Sequence, residues 1–158
     1  MRISTAVIAA GLMGLSLLAQ GGQLKENLDR FTGTRSVTWS TLPSGPEQFA
    51  FSTSVYIPEK GEPVYILQLF TYADISRYQT CHFVDWLVDG RRAPELQAEY
   101  GSDSAGSASI ERFTITADRK TLENLSSAKS LEYKVCNDEG AVLAEDLNGL
   151  RQVLAATK

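Results

Sequence analysis

The chain has 158 residues, of which 43% are apolar, and a formal net charge of −4 at pH 7. This length suits a single domain that buries its own core. The acidic balance argues against nucleic acid as a partner, because the phosphate backbone attracts a basic surface. The adjacent Arg91 and Arg92 form a local basic pair, which is typical of a solvated turn.

The chain opens with Arg2, an uncharged apolar run over residues 6–19 and the small-residue sequence AQG. This pattern predicts a signal peptide over residues 1–21, because the run is too short to span a bilayer comfortably. A retained membrane anchor is the alternative. We therefore expect a periplasmic or secreted protein that begins near Gln20 or Gly22. Residues 22–158 are predicted to form a single β-rich domain that does not insert into a membrane after cleavage.

The first half of this domain shows the period of strands. Residues 22–34 are polar and predict an irregular segment or a short helical turn. Apolar and polar residues then alternate in residues 35–41 and 49–57, which is typical of half-buried strands. Residues 64–72 are rich in branched and aromatic side chains and predict a buried strand.

Large apolar residues on both faces of residues 82–88 predict a central strand covered on both sides. An Asp-Gly pair then predicts a tight turn. Residues 92–100 predict a returning strand, which a proline weakens or places at an edge. The glycines and serines of residues 101–109 predict a flexible loop, and residues 110–116 another strand.

The apolar period then changes to that of a helix. Leu122, Leu125 and Ala128 recur at every third position, and Thr116 or Asp118 can cap the start of this helix. A strand over residues 131–135, a turn and a segment that pairs back follow. Asp146 is the predicted cap of a final helix with an apolar stripe at Leu147, Leu150, Val153 and Leu154.

Together these elements predict a mainly β (α+β) protein. The expected architecture is an antiparallel β-sandwich or a curved sheet of about seven strands, with two short helices in the C-terminal third.

Cys81 and His82 are the residues that most resemble a catalytic pair. Adjacent side chains on a strand point to opposite faces, so these two diverge. Two cysteines in an exported chain instead predict a disulfide between Cys81 and Cys136. An oxidised sulfur is no nucleophile, and a zinc site needs more ligands at closer spacing. We expect no metal and no cofactor.

The best binding candidate is the aromatic and polar segment over residues 70–79, which joins two apolar strands. Loops on a rigid β-scaffold commonly carry function, and Tyr and Arg are favoured at interfaces. The sequence therefore predicts Tyr72, Arg77 and Tyr78 as binding residues. The alternative is a crossover loop whose tyrosines pack against the core.

These features favour a small non-enzymatic binding or protein-interaction module of the bacterial periplasm or secreted space. An inhibitor or a toxin-neutralising protein fits this class, with another protein or an envelope component as its partner. The alternatives are a secreted hydrolase that uses dispersed carboxylates and a structural envelope subunit. A cavity that gathers carboxylates or His82 would favour the enzyme, and a loop-built polar and aromatic surface would favour binding.

Overall fold

The computed structural model describes residues 21–158 as two antiparallel sheets and two helices. The strands are β1 (Gln23–Leu28), β2 (Arg35–Ser40), β3 (Ala50–Ile57), β4 (Val64–Ala73), β5 (Val84–Val88), β6 (Arg91–Arg92), β7 (Glu99–Ala105), β8 (Ala108–Ala117), β9 (Leu131–Val135) and β10 (Asp138–Ala141). The helices are α1 (Arg119–Ser127) and α2 (Ala144–Ala156). The predicted fold class is confirmed. Residues 1–20, which hold nearly all of the predicted signal peptide, lie outside the described residues.

The connection between β4 and β5 is the first point at which the chain passes from one sheet to the other. The larger sheet has the order β1-β2-β3-β4-β8-β7, and the smaller has the order β10-β9-β5-β6. All neighbouring strands pair antiparallel. The chain leaves the larger sheet after β4 and begins the smaller one with β5. The connection between β4 and β5 therefore bridges the two sheets.

One apolar core joins the inner face of the larger sheet to the smaller sheet and both helices. Along β4, Leu67 and Leu69 are buried while the residues between them are half-buried, as expected when one face meets the core and the other meets water. Main contributors to the core are Leu67, Leu69 and Phe113 from the larger sheet, Trp86, Leu131 and Val135 from the smaller sheet, and Leu122, Leu125, Leu147 and Leu150 from the helices.

Polar segments at both edges of the larger sheet are strands, so the predicted irregular segment and flexible loop are wrong. β1 and β7 are exposed along nearly their whole length. An edge strand needs no apolar face of its own when its backbone pairs with an apolar neighbour, and composition therefore did not reveal it. Gly106, at φ +64°, lies in the tight turn between β7 and β8, a conformation that glycine adopts without strain.

β5 is covered on one face only, contrary to the expectation of a strand buried on both sides. Trp86 is buried in the core, whereas Asp85 is exposed and lies opposite Lys134 of β9. The predicted returning strand is reduced to the two residues of β6, because Pro94 has no N–H for the ladder. Arg91 and Arg92 are thus exposed strand residues rather than a turn.

The two helices differ in how they begin. Asp118 accepts a hydrogen bond from the backbone N–H of Thr121 at 2.7 Å. Of the two predicted caps of α1, Thr116 and Asp118, the second is therefore confirmed. Asp146 is not the cap of α2, because that helix begins at Ala144 and follows Leu143. Asp146 lies in the first turn, is buried, and accepts a hydrogen bond from the indole N–H of Trp39 at 2.9 Å.

Trp39 holds α2 against the larger sheet. Its ring packs so closely against the helix that a Cβ atom at Gly149 would overlap the ring, and a Cβ atom at Gly22 would overlap it as well. Trp39, together with Val37, Val55 and Val153 of α2, forms a second buried apolar cluster. The position of the helix thus depends on the absence of a side chain at Gly149.

We expect Gly149→Ala to destabilise the protein, although alanine exceeds glycine by about 1 kcal/mol in helix propensity. The added methyl group would overlap the indole of Trp39, and overpacking of this kind costs about 1–3 kcal/mol. Denaturant unfolding measures the difference. The control is Ala155→Gly on the exposed side of α2, which should cost about 0.5–1 kcal/mol through backbone freedom alone. A Gly149→Ala protein that is more stable than the wild type would contradict this packing.

Candidate functional site

Residues 74–83, which we call the disulfide loop, connect β4 of the larger sheet with β5 of the smaller sheet. The loop carries Arg77 and Tyr78, two of the three predicted binding residues. The third, Tyr72, lies just before it on β4. The structure therefore brings the predicted residues to one connection, and the contacts of that connection decide what each of them does.

The carboxylate of Glu111 anchors the middle of the disulfide loop. Glu111 lies on β8 and is fully buried. One of its oxygens accepts a hydrogen bond from the backbone N–H of Arg77 at 2.8 Å. The other accepts from the backbone N–H of Tyr78 at 2.9 Å and from the hydroxyl of Tyr100 at 2.7 Å. Hydrogen bonds to an ionised acceptor are stronger than neutral ones, so these three offset much of the cost of burying the charge.

Sequence reasoning missed Glu111, although a signal was present. Glu111, Phe113 and Ile115 occupy alternate positions of β8, and all three are at most 2% exposed. A glutamate in phase with core residues must find partners, because an unpaired buried carboxylate is costly. The alternation of Glu111 with core residues was therefore sufficient to mark it as a buried carboxylate, but not to identify the loop whose N–H groups bind it.

Two further contacts fix the flanks of the disulfide loop to the β7–β8 hairpin. The hydroxyl of Ser76 hydrogen bonds to the hydroxyl of Ser109 on β8. The ring of His82 stacks on that of Tyr100, with 4.3 Å between centroids and 7° between planes, and its Nε2 lies 2.7 Å from the carbonyl oxygen of Gln79. His82 thus has a packing role within the loop.

The predicted disulfide between Cys81 and Cys136 is confirmed, with 6.1 Å between the two Cα atoms. Cys136 lies in the turn between β9 and β10 and has a φ of +56°. Its backbone N–H donates to the carbonyl oxygen of Phe83 at 3.3 Å. The disulfide therefore ties the end of the loop to the smaller sheet, while Glu111 ties its middle to the larger one.

Tyr78 lies in the core rather than on the surface. It is 3% exposed, and its ring centroid lies 5.6 Å from that of Phe49 and 5.5 Å from that of Phe113. Its hydroxyl donates to Asp138 at 2.7 Å. Burial, together with this hydrogen bond, raises the pKa of the Tyr78 hydroxyl well above its usual value. The alternative in which a loop tyrosine packs against the core therefore describes Tyr78.

Arg77 lies at the edge of the same cluster and remains partly exposed. Its guanidinium lies 5.4 Å from the ring centroid of Tyr78 and forms ion pairs of 3.3 Å with Glu47 and with Asp138. Exposed pairs of this kind contribute about 0–1 kcal/mol each. Tyr72 is half-buried on the outer face of the larger sheet. The binding roles of Tyr72, Arg77 and Tyr78 stay predictions.

The disulfide loop also displays apolar side chains that the sequence analysis did not select. Ile75 is 79% exposed and Phe83 is 56% exposed. Single exposed apolar residues are common on protein surfaces. Here, however, the backbone that carries them is held by a buried carboxylate on one side and by a disulfide on the other.

Two of the cavities formed by residues 21–158 lie outside the disulfide loop. The larger, of about 330 Å³, lies against the smaller sheet and is lined by charged residues that include the ion pair between Lys134 and Glu139 at 2.8 Å. The smaller, of about 280 Å³, lies beside the start of α2 and is lined in part by Asp146. His82 lines neither of these two cavities, but carboxylates line both: Asp85, Glu132 and Glu139 the larger, and Glu145 and Asp146 the smaller. The hydrolase alternative therefore stays a prediction.

Comparisons of the chain with protein-family models, with curated proteins and with solved structures found no match. Between residues 21 and 158, no helix is long and apolar enough to cross a membrane. The same part of the chain holds no group of three or more His, Cys, Asp or Glu side chains placed to bind a metal ion.

We expect Glu111→Gln to destabilise the protein by about 1–3 kcal/mol, because a buried hydrogen-bond donor is left without its acceptor. The amide keeps the shape of the carboxylate but places an NH₂ group opposite one of the two backbone N–H groups, because each oxygen binds a different one. Denaturant unfolding measures stability, and hydrogen exchange at the amides of Arg77 and Tyr78 measures the order of the loop.

Tyr100→Phe is the matched control for Glu111→Gln. It removes one of the three donors to Glu111 but keeps both backbone hydrogen bonds, so we expect a loss of about 0.5–1.5 kcal/mol and nearly unchanged exchange at residues 77 and 78. Equal protection of these two amides in the wild type and in Glu111→Gln would contradict the anchoring role of the carboxylate.

Removal of the disulfide, by reduction or by replacement of both cysteines with serine, is expected to destabilise the protein. The bond joins residues that are 55 positions apart, for which loop-closure entropy gives at most about 4 kcal/mol. Thiol counting on denatured, unreduced protein should find no free thiol. Two free thiols in protein taken from an oxidising compartment would show that the bond does not form.

Proposed function

We propose that the protein is a small exported, non-enzymatic module that binds another protein through the disulfide loop. The observation that supports this most directly is the combination of exposure and rigidity in the loop. Ile75 and Phe83 are largely exposed, while Glu111 holds the backbone between them and the disulfide holds Cys81, two residues before Phe83.

Rigidity matters because binding must overcome the entropy of ordering a loop. Each immobilised side chain and each ordered loop segment reduces the net affinity, and a loop held in advance avoids much of this loss. Glu111 binds backbone N–H groups of the disulfide loop rather than its side chains, so the side chains of Ile75 and Phe83 remain available. Such a loop suits an inhibitor or a toxin-neutralising protein.

The exposed groups of the loop indicate the chemistry of the partner. Ile75 and Phe83 supply apolar surface, and the nearby Arg77 is already paired with Glu47 and Asp138. A complementary partner would offer an apolar pocket for the ring of Phe83 with a polar rim around it, because aromatic anchors in desolvated pockets carry much of the binding energy at protein interfaces.

Two observations support the proposed location in a periplasm or outside the cell. The disulfide is compatible with an oxidising compartment. The pattern of the first residues predicts export. The disulfide holds one end of the loop only where that bond persists, so the proposed function depends on the proposed compartment.

The test compares three proteins as bait in the native exported fraction: the wild type, the Ile75→Ser/Phe83→Ser double variant, and Phe31→Ser. Phe31 is 86% exposed in the connection between β1 and β2 and serves as the matched control for loss of exposed apolar surface. We expect the double variant to lose its partner by at least about tenfold, since truncation of interface anchors costs about 2 kcal/mol or more. The Phe31 variant should retain it.

Stability is the second readout of the same test. Both variants replace exposed side chains, so their unfolding free energies should stay within about 0.5 kcal/mol of the wild type. Equal recovery of the partner by the double variant and by the wild type would exclude the disulfide loop as the binding surface. If the double variant does lose the partner, direct titration with the purified partner should give weaker binding for the double variant than for the wild type and for Phe31→Ser.

A further inference from the structure

The cavity beside the start of α2 has an apolar and aromatic wall that opens to solvent. Its volume is about 280 Å³, just below the range of drug-sized ligand sites, about 300–1,000 Å³, so it suits a small ligand. Phe49, Phe51 and Tyr133 contribute aromatic rings to its lining. Leu42 and Leu143 also line it and are 71% and 57% exposed, so they lie where the cavity meets solvent.

The charged groups of this cavity are all acidic. Its lining includes Glu145 and Asp146 but no lysine, arginine or histidine. Asp146 is only 2% exposed. Among residues 21–158, the ion pairs of the protein do not include Asp146. The cavity therefore contains a buried carboxylate without a cationic partner in the described part of the chain.

The carboxylate of Asp146 is oriented but not fully compensated. One of its oxygens accepts a hydrogen bond from the indole N–H of Trp39, a ring that is itself confined by the backbone of Gly22 and Gly149. The N-terminal turn of α2 also favours a negative charge at this position. Even so, burial raises the pKa of the Asp146 carboxyl, although the hydrogen bond from Trp39 lowers it in part. A cationic partner would relieve this destabilisation of the charged form.

We propose that this cavity binds an organic cation with an apolar body: a primary ammonium or a guanidinium group on an aliphatic or aromatic chain. The cation would pair with Asp146 at the buried end. The apolar body would lie against the aromatic wall and cover Leu42 and Leu143 at the opening. This site is separate from the disulfide loop, since none of residues 74–83 lines it.

Both parts of such a ligand match the lining. A cation near the faces of Phe49, Phe51 or Tyr133 gains cation–π attraction in addition to the charge pair. The apolar body removes exposed leucine surface from water, which is favourable in proportion to the area buried. A neutral ligand would gain only the second contribution, and an anion would be repelled by Asp146 and Glu145. The same cation could come from a free amine or from a lysine side chain of a peptide.

The experiment titrates the protein with phenethylammonium, with the neutral isostere phenethyl alcohol, and with 3-phenylpropionate as the anion. The readout is the indole N–H signal of Trp39 in a ¹⁵N correlation spectrum, because this group donates to Asp146. We expect a saturable shift with the amine, binding of the alcohol that is weaker by at least about tenfold, and no saturable shift with the anion.

Asp146→Asn is the decisive variant, because the asparagine oxygen can still accept from Trp39 while the charge is removed. It should abolish the preference for the amine over the alcohol. Glu145→Gln is the matched control: it removes a neighbouring but exposed carboxylate and should weaken amine binding by at most about fivefold. Equal affinities of the wild type for amine and alcohol, a preference that persists in Asp146→Asn, or a larger loss in Glu145→Gln would overturn the proposal.

A second arm distinguishes the two sources of the cation. Lysine blocked at both its amino and carboxyl ends is titrated in parallel with phenethylammonium. Tighter binding of the blocked lysine assigns the cavity to a side chain of a peptide or protein, and tighter binding of the free amine assigns it to a small molecule. Absence of a saturable Trp39 shift with both compounds at millimolar concentration overturns the proposal.

Discussion

The buried carboxylate of Glu111 is the interaction on which the candidate interaction surface depends. Its charge lies in the core and must be met by donors, because a carboxylate taken out of water without partners is strongly destabilising. The donors come from separate parts of the chain: the backbone at Arg77 and Tyr78, and the hydroxyl of Tyr100. The disulfide loop and the β7–β8 hairpin therefore hold each other in place, and the loop is ordered from within the core.

Asp146 is also a buried carboxylate, but it receives fewer hydrogen bonds than Glu111. Glu111 receives three hydrogen bonds at 2.7–2.9 Å, whereas the close donor to Asp146 is the indole of Trp39. Glu111 is enclosed by the chain, while Asp146 lines a cavity that reaches solvent. This contrast is why we assign Glu111 to the scaffold of the loop and Asp146 to a ligand. Buried charges that a fold satisfies completely stabilise its shape, and those that it leaves partly unsatisfied retain capacity for a partner.

Alternation along the sequence was a good guide where a strand has one apolar and one polar face. It predicted β2, β3 and β4 to within a residue or so of their observed ends. It failed for β1 and β7, which are exposed edge strands whose backbone pairing leaves no mark in composition. Capping chemistry failed in turn for the start of α2, where Asp146 has the residue type of a helix cap but is buried in the first turn and accepts a hydrogen bond from Trp39.

The sequence by itself determined the β-rich class, the two C-terminal helices and the pairing of Cys81 with Cys136, and it narrowed the cap of α1 to Thr116 or Asp118. Each of these follows from local period, from capping chemistry or from the number of cysteines. Only the tertiary structure decided that Tyr78 is buried, that Glu111 holds the disulfide loop, and that a cavity forms beside Asp146. The physical reason is that burial of a polar group depends on which sheet or helix covers it, and that covering surface comes from residues far away in the chain.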